Sequence, residues 1–322
     1  MRLYKIFHPE IFQGSLKKRA YFEGWYFKHV SPDLKSAMAF IPGISLSEND
    51  PHAFIQYIDG INRQSEYFRY PIEEFRYDRK KLRVRIGDSE FSEIGIAINL
   101  KNDKYSIVGT PGYTGNRKFP SSITMPGIMG WYSYVPNMEC NHGVVSLHHK
   151  VEGAITVNGE VFDYTGGTGY IEKDWGVSFP ESWIWLQCNN FDDAGTSLMV
   201  SVAKIPWRGR YFIGLISFLS TDERTEVFAT YNKSKVLSLK QLNKNSTELV
   251  IKKGKSVLTV SIAKSGSASI VAPVMGSMNK IIKESMNSEV EFSYDNGSGS
   301  IISGHGKRAG YEEMDKIFSY FG

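Results

Sequence analysis

Apolar and polar positions alternate in short runs along this chain, and turn residues interrupt the runs every ten or so positions. The alternation over residues 21–30, 53–58, 81–86, 143–151, 183–191, 197–203, 211–219 and 257–263 predicts extended strands. Asp59-Gly60, Asn158-Gly159, Arg208-Gly209 and Asn296-Gly297 lie between such runs, as the turns of antiparallel hairpins would. Helical periodicity is scarce, and residues 275–287 and 312–321 read as the best short helices. No run approaches the roughly 18 apolar residues of a spanning helix. The expected class is mainly β, with two antiparallel barrel or sandwich domains and few short helices.

Length and composition refine this reading. A chain of 322 residues exceeds the length at which one core usually stops growing, so two domains are expected, divided near Gly166 into 1–165 and 166–322. The 13% aromatic content and 30 glycines suit many strands and tight turns. A formal charge of +4 is too weak a bias to imply a nucleic-acid partner. Residues 233–255 are rich in lysine and could rest on an anionic membrane in a transient contact, but interspersed polar and β-branched residues favour a solvated strand-and-loop face. The N-terminus lacks the apolar stretch and cleavage site of a signal peptide, which suggests a cytoplasmic protein with Cys140 and Cys188 reduced. Nothing in the sequence indicates the oligomeric state.

Candidate chemistry concentrates in residues 166–191. Gly166-Gly167-Thr168-Gly169 matches neither the Walker spacing nor a dinucleotide loop, so no nucleotide cofactor is expected. In an extended 170–175 segment, Tyr170, Glu172 and Asp174 share one face and Ile171, Lys173 and Trp175 the other. Two carboxyls against aromatic walls can have their proton affinities driven apart, which suits acid catalysis on an apolar substrate. The alternative is a surface strand whose carboxylates face water. His142 and His148 would share a face in an extended strand, but at roughly 20 Å apart they could not bind one ion, so no metal is expected. Either could carry a proton or be a hydrogen-bonded core residue. Glu23 lies among rings, with Trp25 and Phe27 on its face and Phe22, Gly24 and Tyr26 on the other. It is either paired in a buried network or part of a pocket.

Several segments together carry a resemblance. Phe22-Glu23-Gly24-Trp25-Tyr26-Phe27, Ile41-Pro42-Gly43, Gly127-Ile128-Met129-Gly130-Trp131-Tyr132, the 135–146 segment and the 166–191 block resemble the tocopherol cyclase family in the same order. The chain looks like a bacterial-type homologue without a transit peptide. The resemblance implies two lipocalin-like β-domains and closure of a prenylated quinol to a chromanol, and it favours His142 as a proton carrier and Glu23 as pocket lining.

Such a cyclisation needs a proton delivered to a trisubstituted alkene, a tertiary cation, and capture by a phenolic oxygen away from water. Asp174 or Glu172 would donate, and the other carboxylate or His142 would accept the phenol proton. Trp25, Trp175, Trp183 and Trp185 are candidate walls that stabilise the cation, with Gln187 and Asn189 holding the quinol oxygens. Tyr170 completes the substrate-facing set. The expected partner is a small hydrophobic isoprenoid or prenylquinol. Two other readings remain open: a lipocalin-like isoprenoid or lipid carrier without chemistry, and a hydratase or isomerase acting on another isoprenoid.

Overall fold

The computed structural model describes residues 2–321 and contains two antiparallel β-sheets. The first has fourteen strands and the second ten, and neither closes into a barrel among the described residues. The mainly-β expectation holds, and helix is confined to short pieces. No helix among the described residues is long and apolar enough to cross a membrane.

At the centre of the first sheet, the Tyr21–Val30 strand pairs with Ala37–Leu46 on one side and Gly167–Gly176 on the other. Gly167–Gly176 pairs in turn with Cys140–Glu152. Both faces of these inner strands are covered, which is why residues 21–30 are aromatic on both faces. One face packs into a core of the first sheet around Trp25, Phe27, Phe40 and Phe91. The other meets the second sheet in a shared apolar layer that includes Tyr26, Tyr170, Trp185, Phe218 and Met286.

The second sheet begins at Trp183–Cys188, which pairs with Ser197–Trp207 and Ile301–Glu313. The chain therefore changes sheet between Gly176 and Trp183. The 167–176 segment, expected to open the second half, is instead a central strand of the first sheet. The apparent boundary at Gly166 is a tight turn, with Gly166 at φ 78°.

The expected helix at 275–287 is absent. Residues 277–295 form one 19-residue strand, Ser277–Asp295. Met275 and Gly276 have φ of 50° and 77°, the two-residue geometry of a hairpin turn, and Val274 pairs with Ser277 across it. Buried and exposed residues alternate along residues 288–294, a period-two signal. The expected helix at 312–321 is half right: Ile301–Glu313 is strand, and a 3-10 turn covers Asp315–Tyr320. The Asn158-Gly159 and Arg208-Gly209 turns are as expected, with positive φ at all four residues.

Candidate acid–base pocket

Strand pairing builds one wall of the site. In antiparallel strands, directly opposite residues point to the same side. Tyr26 stands opposite Glu172, and His142 opposite Asp174, so these side chains share the face toward the second sheet. The facing wall comes from Trp183 and Trp185, with Glu284 of Ser277–Asp295 and Glu312 of Ile301–Glu313. Between them lies a cavity of about 170 Å³, lined otherwise by apolar groups such as Phe54, Phe179 and Ile282. That is room for far more than a single water, which needs roughly 10–15 Å³.

His142 links two carboxylates. Its Nδ1 lies 2.9 Å from Asp174 Oδ1, and its Nε2 lies 3.3 Å from Glu172 Oε2. The first contact is an aligned hydrogen bond, whereas the geometry at Nε2 leaves that buried nitrogen without one. Burial pulls the imidazole toward the neutral form, but Asp174 and Glu172 outweigh it and hold its pKa well above the ordinary histidine value. Glu172 is further fixed by Tyr170, whose hydroxyl donates at 2.7 Å, and by Trp185 Nε1 at 3.3 Å.

The opposite wall carries a second carboxyl pair. Glu284 and Glu312 stand opposite each other across their paired strands. Tyr26 donates its hydroxyl to Glu284 Oε1 at 2.6 Å, and Trp183 Nε1 donates to Glu312 Oε2 at 2.7 Å. Burial raises the Glu284 pKa to about 7, with the Tyr26 hydrogen bond and Lys28 opposing the rise. Burial and the charge of Glu284 push Glu312 well above the carboxylate range. Sequence reasoning missed both groups because both segments read as helices. The alternation over residues 288–294 was the signal that could have extended a strand back to Glu284.

His142, Glu172 and Asp174 are also the group whose spacing could hold a metal, since one ligand atom from each lies within 4.8 Å of the others. Reasoning from the histidines alone did not reach this cluster, which forms only when two strands pair. As arranged, the two carboxylates address opposite nitrogens of one ring. That geometry holds protons, and one ion binding all three residues would have to break at least one of these contacts.

The other expected site residues divide by face. Trp183 and Trp185 line the cavity, and Tyr170 sits behind Glu172. Glu23 does not line it. One register step puts Glu23 beside Trp175 on the far side of the sheet, so although Gly24 neighbours Asp174, the Glu23 and Asp174 side chains leave opposite faces. Glu23 is buried in an ion pair with Lys173 and accepts hydrogen bonds from Tyr21 and from the Gln13 and Gly14 backbone. Trp25 and Trp175 belong to that same face, packing around the Lys173 ammonium. Gln187 and Asn189 face the first sheet but are used there. Gln187 Oε1 accepts from Lys28 Nζ at 2.8 Å, and Asn189 Nδ2 donates to the Gly169 carbonyl at 2.8 Å. Among these residues, alternation correctly grouped the faces but could not say which face would meet the cavity.

Two antiparallel sheets enclosing an apolar cavity, with titratable groups on facing walls, define a β protein of the lipocalin-like type with an internal site. The chain belongs to the tocopherol cyclase-like family, whose model matches residues 102–312. It is 32% identical over 74 residues to the chloroplastic tocopherol cyclase of Zea mays. That match covers 23% of this chain and only 16% of the length of the maize relative. Among solved structures, CghA with Sch210972 superposes with a TM-score of 0.56 at 12% identity, covering 91% of this chain and 88% of CghA. Kievitone hydratase from Nectria haematococca gives 0.50 at 11% identity, covering 94% and 93%. At such identities the likeness is one of fold.

Proposed function

We propose that this protein is an acid–base catalyst that cyclises a prenylated quinol, or a related isoprenoid-bearing aromatic, in the cavity between its sheets. The observation that carries this reading is His142 held between Asp174 and Glu172 on the wall of an otherwise apolar cavity. Family membership supports the same direction.

In the proposed reaction, an apolar substrate displaces water from the cavity. An ion pair is then costly to keep, and moving the proton from His142 Nδ1 to Asp174 leaves two neutral groups. Asp174, now a neutral acid, protonates the prenyl alkene. The aromatic faces of Trp183, Trp185 and Tyr26 stabilise the tertiary cation, and the phenolic oxygen closes the ring as its O–H proton passes to a carboxylate on the cavity wall. Glu172, itself held by the Tyr170 hydroxyl, stands 3.3 Å from the other ring nitrogen.

The test is conversion of a prenylquinol to its chromanol, followed by chromatography. Asp174→Asn keeps the side-chain size but removes the transferable proton, so turnover should fall about 10²- to 10⁴-fold while ligand affinity changes little. Unchanged turnover would take Asp174 out of the acid role. A hydrated alcohol in place of the chromanol would make the protein a hydratase. Tight binding with no product from the wild type would favour a carrier.

A further inference from the structure

We infer that Glu284 and Glu312 form the oxygen-binding end of the cavity and take a phenolic hydroxyl of an apolar ligand, with Glu284 as the acceptor of its proton. The inference rests on the reading of the cavity as a substrate site and adds to it the group that receives the ring oxygen.

The geometry carries it. Both carboxyls line the cavity on directly opposed strand positions, and neither has a salt-bridge partner among the described residues. Lys28, the nearby cation, donates instead to Gln187 Oε1 and to the Arg308 carbonyl. Glu284 is only 1% exposed, and among the described residues each carboxyl receives a single neutral donor, from Tyr26 or Trp183, at one oxygen. Two carboxyls so close, Glu284 buried and Glu312 partly so, cannot both be ionised without a counter-ion, so the pair holds at least one proton. A pair in that state can both donate to and accept from a hydroxyl. On the facing wall, His142 also lines the cavity, and its buried Nε2, 3.3 Å from Glu172 Oε2, makes no aligned hydrogen bond among the described residues. The cavity therefore offers polar atoms at two places in an apolar lining, as a hydroxylated aromatic with a hydrocarbon tail requires.

The proton count closes. Asp174 loses a proton to an alkene carbon. As the phenolic oxygen bonds to the resulting cationic carbon, its O–H bond breaks and that proton passes to the Glu284 carboxylate. The pocket ends with as many protons as it began with, and no co-reactant is consumed.

The test compares a prenylated phenol with its methyl ether by quenching of Trp fluorescence, at pH 6 and pH 8. A buried carboxyl that hydrogen-bonds the hydroxyl should make the wild type prefer the phenol by about tenfold or more. Glu284→Gln and Glu312→Gln should each reduce that preference to within about threefold. Variants that keep the full preference overturn the inference. Should neither variant fold, the wild type alone decides. The groups facing Glu284 are Tyr26, Lys28, Glu172 and Glu312, and with Glu284 near 7 its ionisation should strengthen the phenol preference between pH 6 and pH 8. A preference that is absent or independent of pH overturns it. Because this readout needs no turnover, the two readings separate. A wild type that discriminates but makes no chromanol refutes the cyclase reading alone, and normal turnover with discrimination intact in both variants refutes this one alone.

Discussion

Lys173 and Glu23 lie one step along the strand from the cavity residues and have a different task. Lys173 is fully buried, and burial lowers its pKa to about 8 against the pull of Glu23. Its ammonium also donates to the Pro9 and Ile11 carbonyls, so the pair ties the N-terminal segment to the central strands. Removing one member leaves a buried charge without compensation, which costs about 3–5 kcal/mol, whereas replacing both by apolar groups is far less disruptive. Lys173→Met should lower stability by about that amount in urea titrations. Adding Glu23→Leu to it should recover much of the loss. Equal damage from the single and double variants would mean that hydrogen bonding to the N-terminal segment, more than charge balance, is what matters. The sequence revealed that Glu23 was a group needing a partner or a pocket. It could not reveal which, because Lys173 is 150 positions away and only the strand register brings the two together.

The Ala268–Val274 and Ser277–Asp295 hairpin is the element that local sequence misled about most, and it contributes to the site from afar. Residues 275–287 carry few strong β formers beyond Ile281 and Ile282 and include Met275, Met278, Lys280, Lys283, Glu284 and Met286, which favours helix locally. Pairing with Ala268–Val274 and Ile301–Glu313 overrides that preference. Consequently Glu284 was not among the candidates, while Glu172 and Asp174 were, because they lie in the 166–191 block that carries the family resemblance. The hairpin tip docks onto the first sheet: Gly276 N donates to the Val177 carbonyl at 2.7 Å, and Ser45 Oγ donates to the Gly276 carbonyl at 2.7 Å. Gly276 has φ of 77°, and a Cβ there would collide with the Tyr21 backbone nitrogen. Gly276→Ala should therefore destabilise by about 1–3 kcal/mol. It should also weaken ligand binding, because Pro273, Met278 and Ile282 of this hairpin line the cavity. Thermal melts and fluorescence titration would check the two effects. Lost stability with unchanged affinity would mean that the tip does not govern the shape of the cavity.

The apolar layer shared by the two sheets makes their stabilities interdependent, and acid should expose this. His29 and His149 are buried in the first sheet. Burial lowers the His29 pKa to about 3 and holds His149 well below its ordinary value. The unfolded chain takes up these protons near pH 6.5, whereas the folded protein does not, so their contribution is intact above about 6.5 and is lost as the pH falls toward 3. Each group removes up to about 1.4 kcal/mol per pH unit over that range. His142 acts with the opposite sign: its pKa is raised, so its contribution is present below about 6.5 and is lost only as the pH rises through its higher folded value. Glu284 and Glu312, whose pKa values are raised by burial, also bind protons in the folded state and oppose the loss from His29 and His149 down to about pH 4.5. His148, lowered to about 4 by burial, adds to that loss, so the steepest fall in stability should come below about pH 4.5. Trp25 and Trp175 report the first sheet, and Trp183 and Trp185 the second. Because Tyr26 packs edge-on against Trp185 across the layer, with ring centroids 5.5 Å apart, acid unfolding of the first sheet should strip the second of its cover. Fluorescence of variants keeping only one pair of these tryptophans should show coincident transitions that move together to lower temperature below about pH 4.5. Separate transitions, with the second sheet insensitive to acid, would show that the shared layer is not what joins the two sheets in folding.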